Sequence, residues 1–171
     1  MSVQIDTGRM ILRHFTADDV EAMLAMNNHP EVIRYVGNKP MTSLDEARRA
    51  LENGPLRDYA TRGFGRFAVV WKATGEVIGF NGVKFIAELG QVELGYRLLR
   101  PYWGMGLATE GALASIEYAR DVLQLERLIG LVHPDNSASA NVMRKMGFAL
   151  TGRTRFALIE DTDVDLYARE L

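Results

Sequence analysis

The sequence contains no cysteine among its 171 residues. This absence excludes a disulfide framework, a thiolate metal site and a catalytic cysteine that forms a covalent intermediate. We therefore expect a protein of the cytoplasm. The first seven residues, Met-Ser-Val-Gln-Ile-Asp-Thr, also lack the basic and apolar segments of a signal peptide, so none is expected.

Long apolar runs and a strong net charge are also missing. No uninterrupted apolar segment approaches the roughly 18 residues of a membrane span, so no membrane association is expected. The formal net charge is −2, which gives no indication of a nucleic-acid partner. The three histidines, His14, His29 and His133, have no ligand spacing, and we expect no metal site.

The remaining composition is that of an ordinary globular domain. Hydrophobic residues make up 47% of the chain and charged residues 25%, which is enough for one full core. The length suits a single domain over residues 1–171. We found no repeat and no linker that would divide it.

Periodicity and turn residues predict the secondary structure. Strands are predicted at 9–15, 64–71, 76–85, 91–99, 127–133, 148–154 and 164–169, and helices at 17–27, 44–53, 107–123 and 137–146. Gly54-Pro55 is predicted to end the second helix, and residues 160–163 to form a loop. Asn136 is predicted to cap the last helix and Gly147 to end it. Four strands in a meander, one crossover helix and further strands indicate an α+β fold with a mixed sheet.

The stretch 91–111 carries the clearest functional pattern. It predicts a strand, a glycine-bearing turn and a helix, with Pro101 ending the strand. One strand face carries Val92, Leu94, Tyr96 and Leu98, and the other carries Glu93, Gly95, Arg97 and Leu99. The turn precedes a helix, and unpaired N–H groups at a helix N-terminus attract anions. We predict a phosphate-bearing ligand on the main chain of Gly104, Met105, Gly106, Leu107, Ala108 and Thr109; a tight turn without a ligand is the alternative.

Two better-known phosphate loops do not fit this turn. The sequence has no Gly-x-x-x-x-Gly-Lys-Ser/Thr motif, which excludes a P-loop. The third glycine of a dinucleotide-binding Gly-x-Gly-x-x-Gly motif would fall at Thr109. The turn is therefore of another kind.

Three ordered motifs resemble the GNAT acyl-CoA N-acyltransferases. They are Glu93-Leu-Gly-Tyr, the segment 103–110 (Trp-Gly-Met-Gly-Leu-Ala-Thr-Glu) and the segment 136–148 (Asn-Ser-Ala-Ser-Ala-Asn-Val-Met-Arg-Lys-Met-Gly-Phe). The front of the chain, with 9–13 (Arg-Met-Ile-Leu-Arg), Asp18-Asp19 and 29–34 (His-Pro-Glu-Val-Ile-Arg), resembles the branch that includes the ribosomal-protein alanine N-acetyltransferases. One departure is Trp103, since the family's pyrophosphate loop usually starts with Gln or Arg.

The resemblance implies a fold and an activity. It implies a GNAT-like mixed, mostly antiparallel central sheet of about seven strands flanked by helices. It also implies transfer of an acetyl group from acetyl-CoA to a primary amine. No Ser-His-Asp set and no cysteine nucleophile is available, so direct transfer to the amine is the simplest mechanism.

The resemblance also implies roles for individual residues. Glu93 would be the general base, although a solvated carboxylate or an ion pair with Arg97 remains open. Leu98 and Leu99 would offer main chain to the pantetheine arm, and residues 104–109 would hold the pyrophosphate. Asn136 would bind the pantetheine, cap its helix, or do both. Ser139 would assist the leaving thiolate, with a plain helix-surface serine as the alternative.

Several matters stay open at the level of sequence. The acceptor is a protein N-terminus or a small-molecule amine, and the protein is a monomer or a homodimer. Tyr167 is either an acid or a core residue. Arg144 and Lys145 either meet a CoA phosphate or complement a helix C-terminus. A CoA-binding module without turnover and an interaction protein are the alternatives to an enzyme.

Overall fold

A computed structural model describes residues 2–37 and 39–171 and contains one large sheet with helices on its faces. The strands are β1 (Gln4–Asp6), β2 (Met10–Arg13), β3 (Phe67–Trp71), β4 (Val77–Ile86), β5 (Gln91–Leu98), β6 (Arg127–Val132), β7 (Ala149–Phe156) and β8 (Ile159–Glu170). The helices are α1 (Val20–Asn28), α2 (Pro30–Ile33), α3 (Leu44–Leu51), α4 (Arg57–Arg62), α5 (Leu107–Asp121) and α6 (Ser137–Lys145). Short 3-10 turns occupy Ala17–Asp19 and Arg100–Tyr102.

The sheet has the strand order β1-β2-β3-β4-β5-β6-β8-β7. Strands β1 to β5 form an antiparallel meander, and β8 pairs antiparallel with both β6 and β7. The crossover through α5 makes β5 and β6 parallel, and within the described residues a single pair, Glu93 with Ile129, joins them. This confirms the predicted α+β fold with a mixed, mostly antiparallel sheet. The eighth strand is β1, whose three residues are too few to show a period.

The side chains of β5 alternate between two helical layers, as predicted. Leu94 packs with Ala112 and Ile116 of α5 in one core cluster. On the opposite face, Met26 of α1 packs in a cluster with the side chains of α3 and β3. Glu93 differs from Leu94 by one position and therefore faces the side of α1 and α3.

The C-terminal part of β5 has one edge turned toward an opening in the sheet. Leu98 lies opposite Gly79 of β4. The N–H of Leu99 donates to the carbonyl of Ile78 over 2.8 Å, which makes Leu98 and Gly79 a non-hydrogen-bonded pair. The N–H and C=O groups of Leu98 therefore point away from β4, toward the space between β5 and β6.

One boundary prediction was confirmed and one was wrong. Gly54 takes non-helical angles (φ −109°, ψ −111°) and interrupts the helical region, so that α3 and α4 lie on either side of Gly54-Pro55. The predicted loop at 160–163 lies inside β8, and the turn between β7 and β8 falls between the paired residues Phe156 and Ile159. The polar run 160–163 is a largely exposed part of the strand rather than a turn.

Two further observations concern residues 2–37 and 39–171. None of their helices combines the length and the apolar character that crossing a bilayer requires. In the same residues, no three His, Asp or Glu side chains are grouped as ligands for a metal ion.

Candidate active site

A cavity of about 180 Å³ lies beside β5, where the sheet opens toward β6. Three of the predicted site residues line it, namely Glu93, Asn136 and Ser139. Other lining side chains come from the segment before β3, from β4, from β5, from the residue after β6 and from the C-terminal hairpin: Arg66, Phe80, Lys84, Tyr96, Arg97, His133, Phe156 and Leu158. The fold thus brings together residues that lie more than forty positions apart in the sequence.

Glu93 is buried in the wall of this cavity, with only 8% of its surface exposed. Its Oε2 atom accepts a hydrogen bond from Nη2 of Arg66, which forms an ion pair. Burial raises the pKa of Glu93 above its ordinary value, while Arg66 and Lys84 oppose the rise. Arg97, which the sequence suggested as a partner of Glu93, instead donates from Nη1 to Oδ1 of Asn27. The raised pKa of the Glu93 carboxyl is the direction that a general base needs near neutral pH.

The position of Arg66 depends on the glycine between Glu93 and Arg97 on the same strand face. A Cβ at Gly95 would lie 2.6 Å from Nη2 of Arg66, so a side chain there would displace the guanidinium. The same guanidinium lies over the ring of Phe80, with Cζ 4.8 Å from the centroid. Gly95 therefore makes room for the ion pair with Glu93.

Ser139 forms a hydroxyl pair with a tyrosine from β5. Its Oγ lies 3.0 Å from the phenol oxygen of Tyr96, and the phenol also approaches the Ser139 carbonyl at 3.2 Å. Burial raises the pKa of Tyr96 to about 12, so the phenol is protonated at neutral pH. Oδ1 of Asn136 accepts from the N–H of Ser139 at 3.2 Å, which confirms the predicted cap of α6. Both hydroxyl groups are thus held where the cavity meets the start of α6.

The loop before α5 presents a group of backbone amides. Gly104 and Gly106 have φ values of +73° and +78°, which favour glycine over any other residue. Within residues 2–37 and 39–171, the N–H groups of 104–109 donate to no protein acceptor, and the first helical bond runs from Glu110 N–H to the Gly106 carbonyl. The loop therefore has unpaired donors at the positive end of a 15-residue helix.

A carboxylate in the first turn of α5 is held by the N-terminal part of the chain. Oε2 of Glu110 accepts from Nε of Arg9 at 2.7 Å, and Oε1 accepts from the Thr7 hydroxyl at 2.8 Å and the Arg9 N–H at 3.0 Å. Partial burial would raise the pKa of Glu110, but these hydrogen bonds outweigh it and lower the pKa. The charge of Glu110 is thus offset by Arg9 beside the amide loop.

Trp103 lies between this loop and the open edge of β5. Its indole N–H donates to the carbonyl of Leu98 over 2.7 Å, while 41% of the residue remains exposed. Leu99 has partners for both of its backbone groups, because its carbonyl accepts from the N–H of Tyr102 at 3.0 Å and its N–H is bonded to β4. Of the two leucines, Leu98 is the one whose backbone faces the opening.

A model of the acetyltransferase (GNAT) domain matches residues 9–149, which include the cavity side chains of β5 and α6 and the loop before α5. The chain belongs to the GNAT acetyltransferases. It is an N-acetyltransferase of a family that uses acetyl-CoA.

Relatives of this GNAT acetyltransferase match most of its length. The uncharacterized N-acetyltransferase p20 of Bacillus licheniformis is 32% identical over 87% of this chain and 84% of its own. Spermidine N(1)-acetyltransferase of Escherichia coli K12 is 28% identical over 82% of this chain and 73% of its own. The structure of RimL, a ribosomal L7/L12 alpha-N-protein acetyltransferase in complex with coenzyme A, has a TM-score of 0.79 and 22% identity, and covers 99% of this chain and 98% of its own.

Some cavity residues of this GNAT acetyltransferase were not singled out by the sequence. Arg66 lies 27 positions before Glu93, in a segment without a motif, and nothing local connects the two. Tyr96 was predicted only as a member of the apolar strand face. Its phenol, two residues before the predicted pantetheine contact at Leu98, is the signal in the sequence that could have indicated a polar role. Trp103 lies outside this cavity; the sequence shows it as the departure from the family pattern, and its bond to Leu98 depends on the turn between them.

Other candidates of the GNAT acetyltransferase lie away from the cavity chemistry. Tyr167 is 3% exposed within the core cluster of α5, β6 and α6, which supports its reading as a core residue. Arg144 donates to Oδ1 of Asn141 at 2.6 Å in the last turns of α6, and Lys145 also lies in the last turn. Cations there complement the helix C-terminus.

Proposed function

We propose that this GNAT acetyltransferase transfers the acetyl group of acetyl-CoA directly to a primary amine, with Glu93 as the general base. The acceptor is the N-terminus of a protein or a small-molecule amine. One observation carries the proposal: a single cavity holds a buried carboxylate with a raised pKa and a protonated hydroxyl pair, at an open strand edge.

The loop before α5 fits the pyrophosphate of acetyl-CoA. The unpaired N–H groups of Gly104, Met105, Gly106, Leu107, Ala108 and Thr109 are suited to phosphate oxygens at a helix N-terminus. A Cβ at Gly104 would meet nothing within 4 Å, and one at Gly106 would come within 4 Å only of Arg9, so the loop surface is accessible. The contacts of Glu110 with Arg9 reduce the repulsion that its carboxylate would otherwise exert on an anion.

The open edge of β5 fits the pantetheine arm. The backbone of Leu98 faces the opening, and Asn136 lines the cavity at the other side. Both backbone groups of Leu99 are already hydrogen-bonded, to Ile78 of β4 and to Tyr102, which argues against its predicted part in binding and leaves Leu98 as the residue that meets the pantetheine. The carbonyl of Leu98 already accepts a hydrogen bond from the indole N–H of Trp103, so a pantetheine amide would compete with the indole or use the second lone pair of this oxygen.

Bound acetyl-CoA would supply an acetyl group activated as a thioester. Glu93 accepts a proton from the ammonium form of the acceptor and releases it to solvent. The amine nitrogen then forms a bond to the acetyl carbon as the bond from carbon to sulfur breaks, and the nitrogen loses its second proton to Glu93, which passes it to solvent. The hydroxyl pair of Ser139 and Tyr96 donates a proton to the departing thiolate and regains one from solvent. One amine and one acetyl-CoA thus give one N-acetyl amine and one CoA thiol, with no change in oxidation state.

Replacing Glu93 with glutamine tests the central role. Loss of a general base costs about 10²- to 10⁴-fold in rate. We expect kcat for CoA thiol release with a responsive amine to fall by that factor, while calorimetric affinity for CoA stays near that of the unmodified protein. The matched control is Glu117→Gln, because Glu117 lies exposed on α5, away from the cavity. An unchanged kcat across the pH range would contradict the assignment.

One observation favours a second candidate, a CoA-binding module without turnover. The carboxylate of Glu93 is already paired with Arg66, which lowers the pKa of that carboxyl and so weakens it as an acceptor of a proton from an amine. The same measurements separate the two functions. Binding of CoA without thiol release for any peptide, amino-sugar or polyamine would support the module.

A further inference from the structure

The cavity beside Glu93 is lined by more cations than anions. Its charged lining residues are Arg66, Lys84 and Arg97, with one carboxylate, Glu93, and a histidine, His133. A simple cavity for a polycationic amine would have the opposite balance, because cations repel one another.

Most of these cations have a carboxylate partner. Arg66 pairs with Glu93, and Nζ of Lys84 lies 3.7 Å from Oδ2 of Asp58. Nε2 of His133 lies 3.4 Å from Oδ2 of Asp161 in β8. Arg97 is different, because in the described chain no carboxylate lies within 4 Å of its guanidinium. Its charge is the uncompensated one in the cavity.

The surroundings of Arg97 make that charge costly. Its Nη1 donates to the amide oxygen of Asn27, a neutral group, and its Nε is buried without any partner. The guanidinium lies 5.1 Å from the ring centroid of Phe80, and burial followed by repulsion from Arg66 lowers the pKa of Arg97 to about 10. A buried charge without a counter-charge is destabilising, so an anion at this position would be bound favourably.

The neighbouring amide is fixed in the orientation that serves Arg97. Asn27 is 4% exposed, and its Nδ2 donates to the carbonyl of Met23 over 2.8 Å. Its oxygen is therefore the atom left to face the guanidinium, and the amide holds Arg97 in place without neutralising it. Gly95, between Glu93 and Arg97 on this strand face, contributes no side chain, and the guanidinium of Arg66 occupies the space directly over it.

We propose that the acceptor is a primary amine that also carries a carboxylate, and that Arg97 binds this carboxylate while the amine faces Glu93. The inference rests on the proposed acetyl transfer and adds the substrate class to it. The carboxylate could belong to a free ω-amino acid or to an acidic side chain near a peptide N-terminus. Both present the same chemistry to Arg97.

Paired acceptors test the proposal without any variant. Each ω-amino acid of a length series is compared with its primary amide, and each peptide with glutamate near its N-terminus is compared with the glutamine peptide. A hydrogen bond to a charged group contributes enough for about a 10- to 100-fold preference. We expect kcat/KM for CoA release to favour the carboxylate member by that factor. Equal values, or a higher value for spermidine, would overturn the proposal, and the two series separate free amino acids from peptides.

Variants then assign the preference to Arg97. In Arg97→Gln we expect the ratio of carboxylate to amide to fall to about one through KM of the carboxylate acceptor, with KM of acetyl-CoA unchanged. Arg97→Lys should keep part of the preference, because it keeps the charge but loses the planar fork. Arg57→Gln, at an exposed position of α4, is the matched control. A rise in KM of acetyl-CoA instead would mean that Arg97 serves the cofactor, which would overturn the proposal.

A binding measurement separates this inference from the proposed function. Absence of CoA release with every amine would refute acetyl transfer. In that case, calorimetric titration of the CoA-saturated protein with a carboxylate and its amide still tests Arg97. Tighter binding of the carboxylate, abolished in Arg97→Gln, would support the anion site, and equal binding would overturn it.

Discussion

Replacing Arg66 with methionine removes the cation that accompanies the buried Glu93 carboxylate. The side chains of the pair are 22% and 10% exposed, so the carboxylate gains little water when its partner is lost. Breaking a buried ion pair from one side costs about 3–5 kcal/mol. Arg66 retains some contact with solvent, and we expect a loss of about 3 kcal/mol at neutral pH, at the lower end of that range.

The same change displaces the titration of Glu93. Because Arg66 lowers the pKa of the Glu93 carboxyl, the loss of Arg66 should raise that pKa further beyond its already raised value. A carboxyl whose pKa is raised in the folded state contributes stability that is fully present when the pH is below 4.5, its ordinary pKa in the unfolded chain. That stability is lost as the pH rises through the folded pKa, and the variant extends this window upward. The destabilisation should therefore be small at pH 5 and large at pH 8.

Urea unfolding at these two pH values and the pH profile of kcat/KM provide the assays. The acid limb of the profile should move to higher pH in Arg66→Met. Arg66→Met should also cost far less unfolding free energy in the Glu93→Gln background, because the neutral amide needs no cation. Arg57→Met is the control for loss of an exposed arginine. An equal cost in both backgrounds, or an acid limb that stays in place, would refute the coupling between Arg66 and Glu93.

Three further changes test the cofactor site and the leaving-group site. Gly106→Ala should weaken CoA binding in calorimetry. The control is Gly75→Ala, because Gly75 has the same φ of +78° in a remote turn. Both variants should lose similar stability, about 1 kcal/mol, and only Gly106→Ala should change the affinity for CoA. Binding of CoA should change the tryptophan fluorescence as Trp103 leaves its carbonyl partner; the change should vanish in Trp103→Phe and persist in a Trp71→Phe control. Ser139→Ala should lower kcat by roughly tenfold or more with little effect on CoA affinity, and a normal kcat would remove the hydroxyl from the mechanism.

Local periodicity was sufficient to predict the strand that carries the site. The alternation from Val92 to Leu98 follows directly from the two-residue period of a strand, and both faces of β5 are as predicted. The glycine turn and the cap at Asn136 were also readable, because caps and left-handed turns depend on a few adjacent residues. These features arise from backbone rules that act over one or two turns.

The ion pair and the strand edge could not be predicted in the same way. Arg66 reaches Glu93 only because β3, β4 and β5 lie side by side and Gly95 leaves space above the sheet. The opening at Leu98 results from β6 pairing with β5 at a single position. Both depend on register between distant segments, which a single sequence does not encode locally.

Where the loop before α5 binds the pyrophosphate as proposed, the contacts of Glu110 with Thr7 and Arg9 would couple the affinity for coenzyme A to the position of the amino-terminal turn. A protein in which that turn is removed or displaced by a fusion would leave the carboxylate of Glu110 without its cationic partner in the first turn of α5, beside the loop. Its hold on coenzyme A would weaken most in dilute buffer and recover as added salt screens the repulsion. The placement of an affinity tag thus becomes an experimental variable for this enzyme.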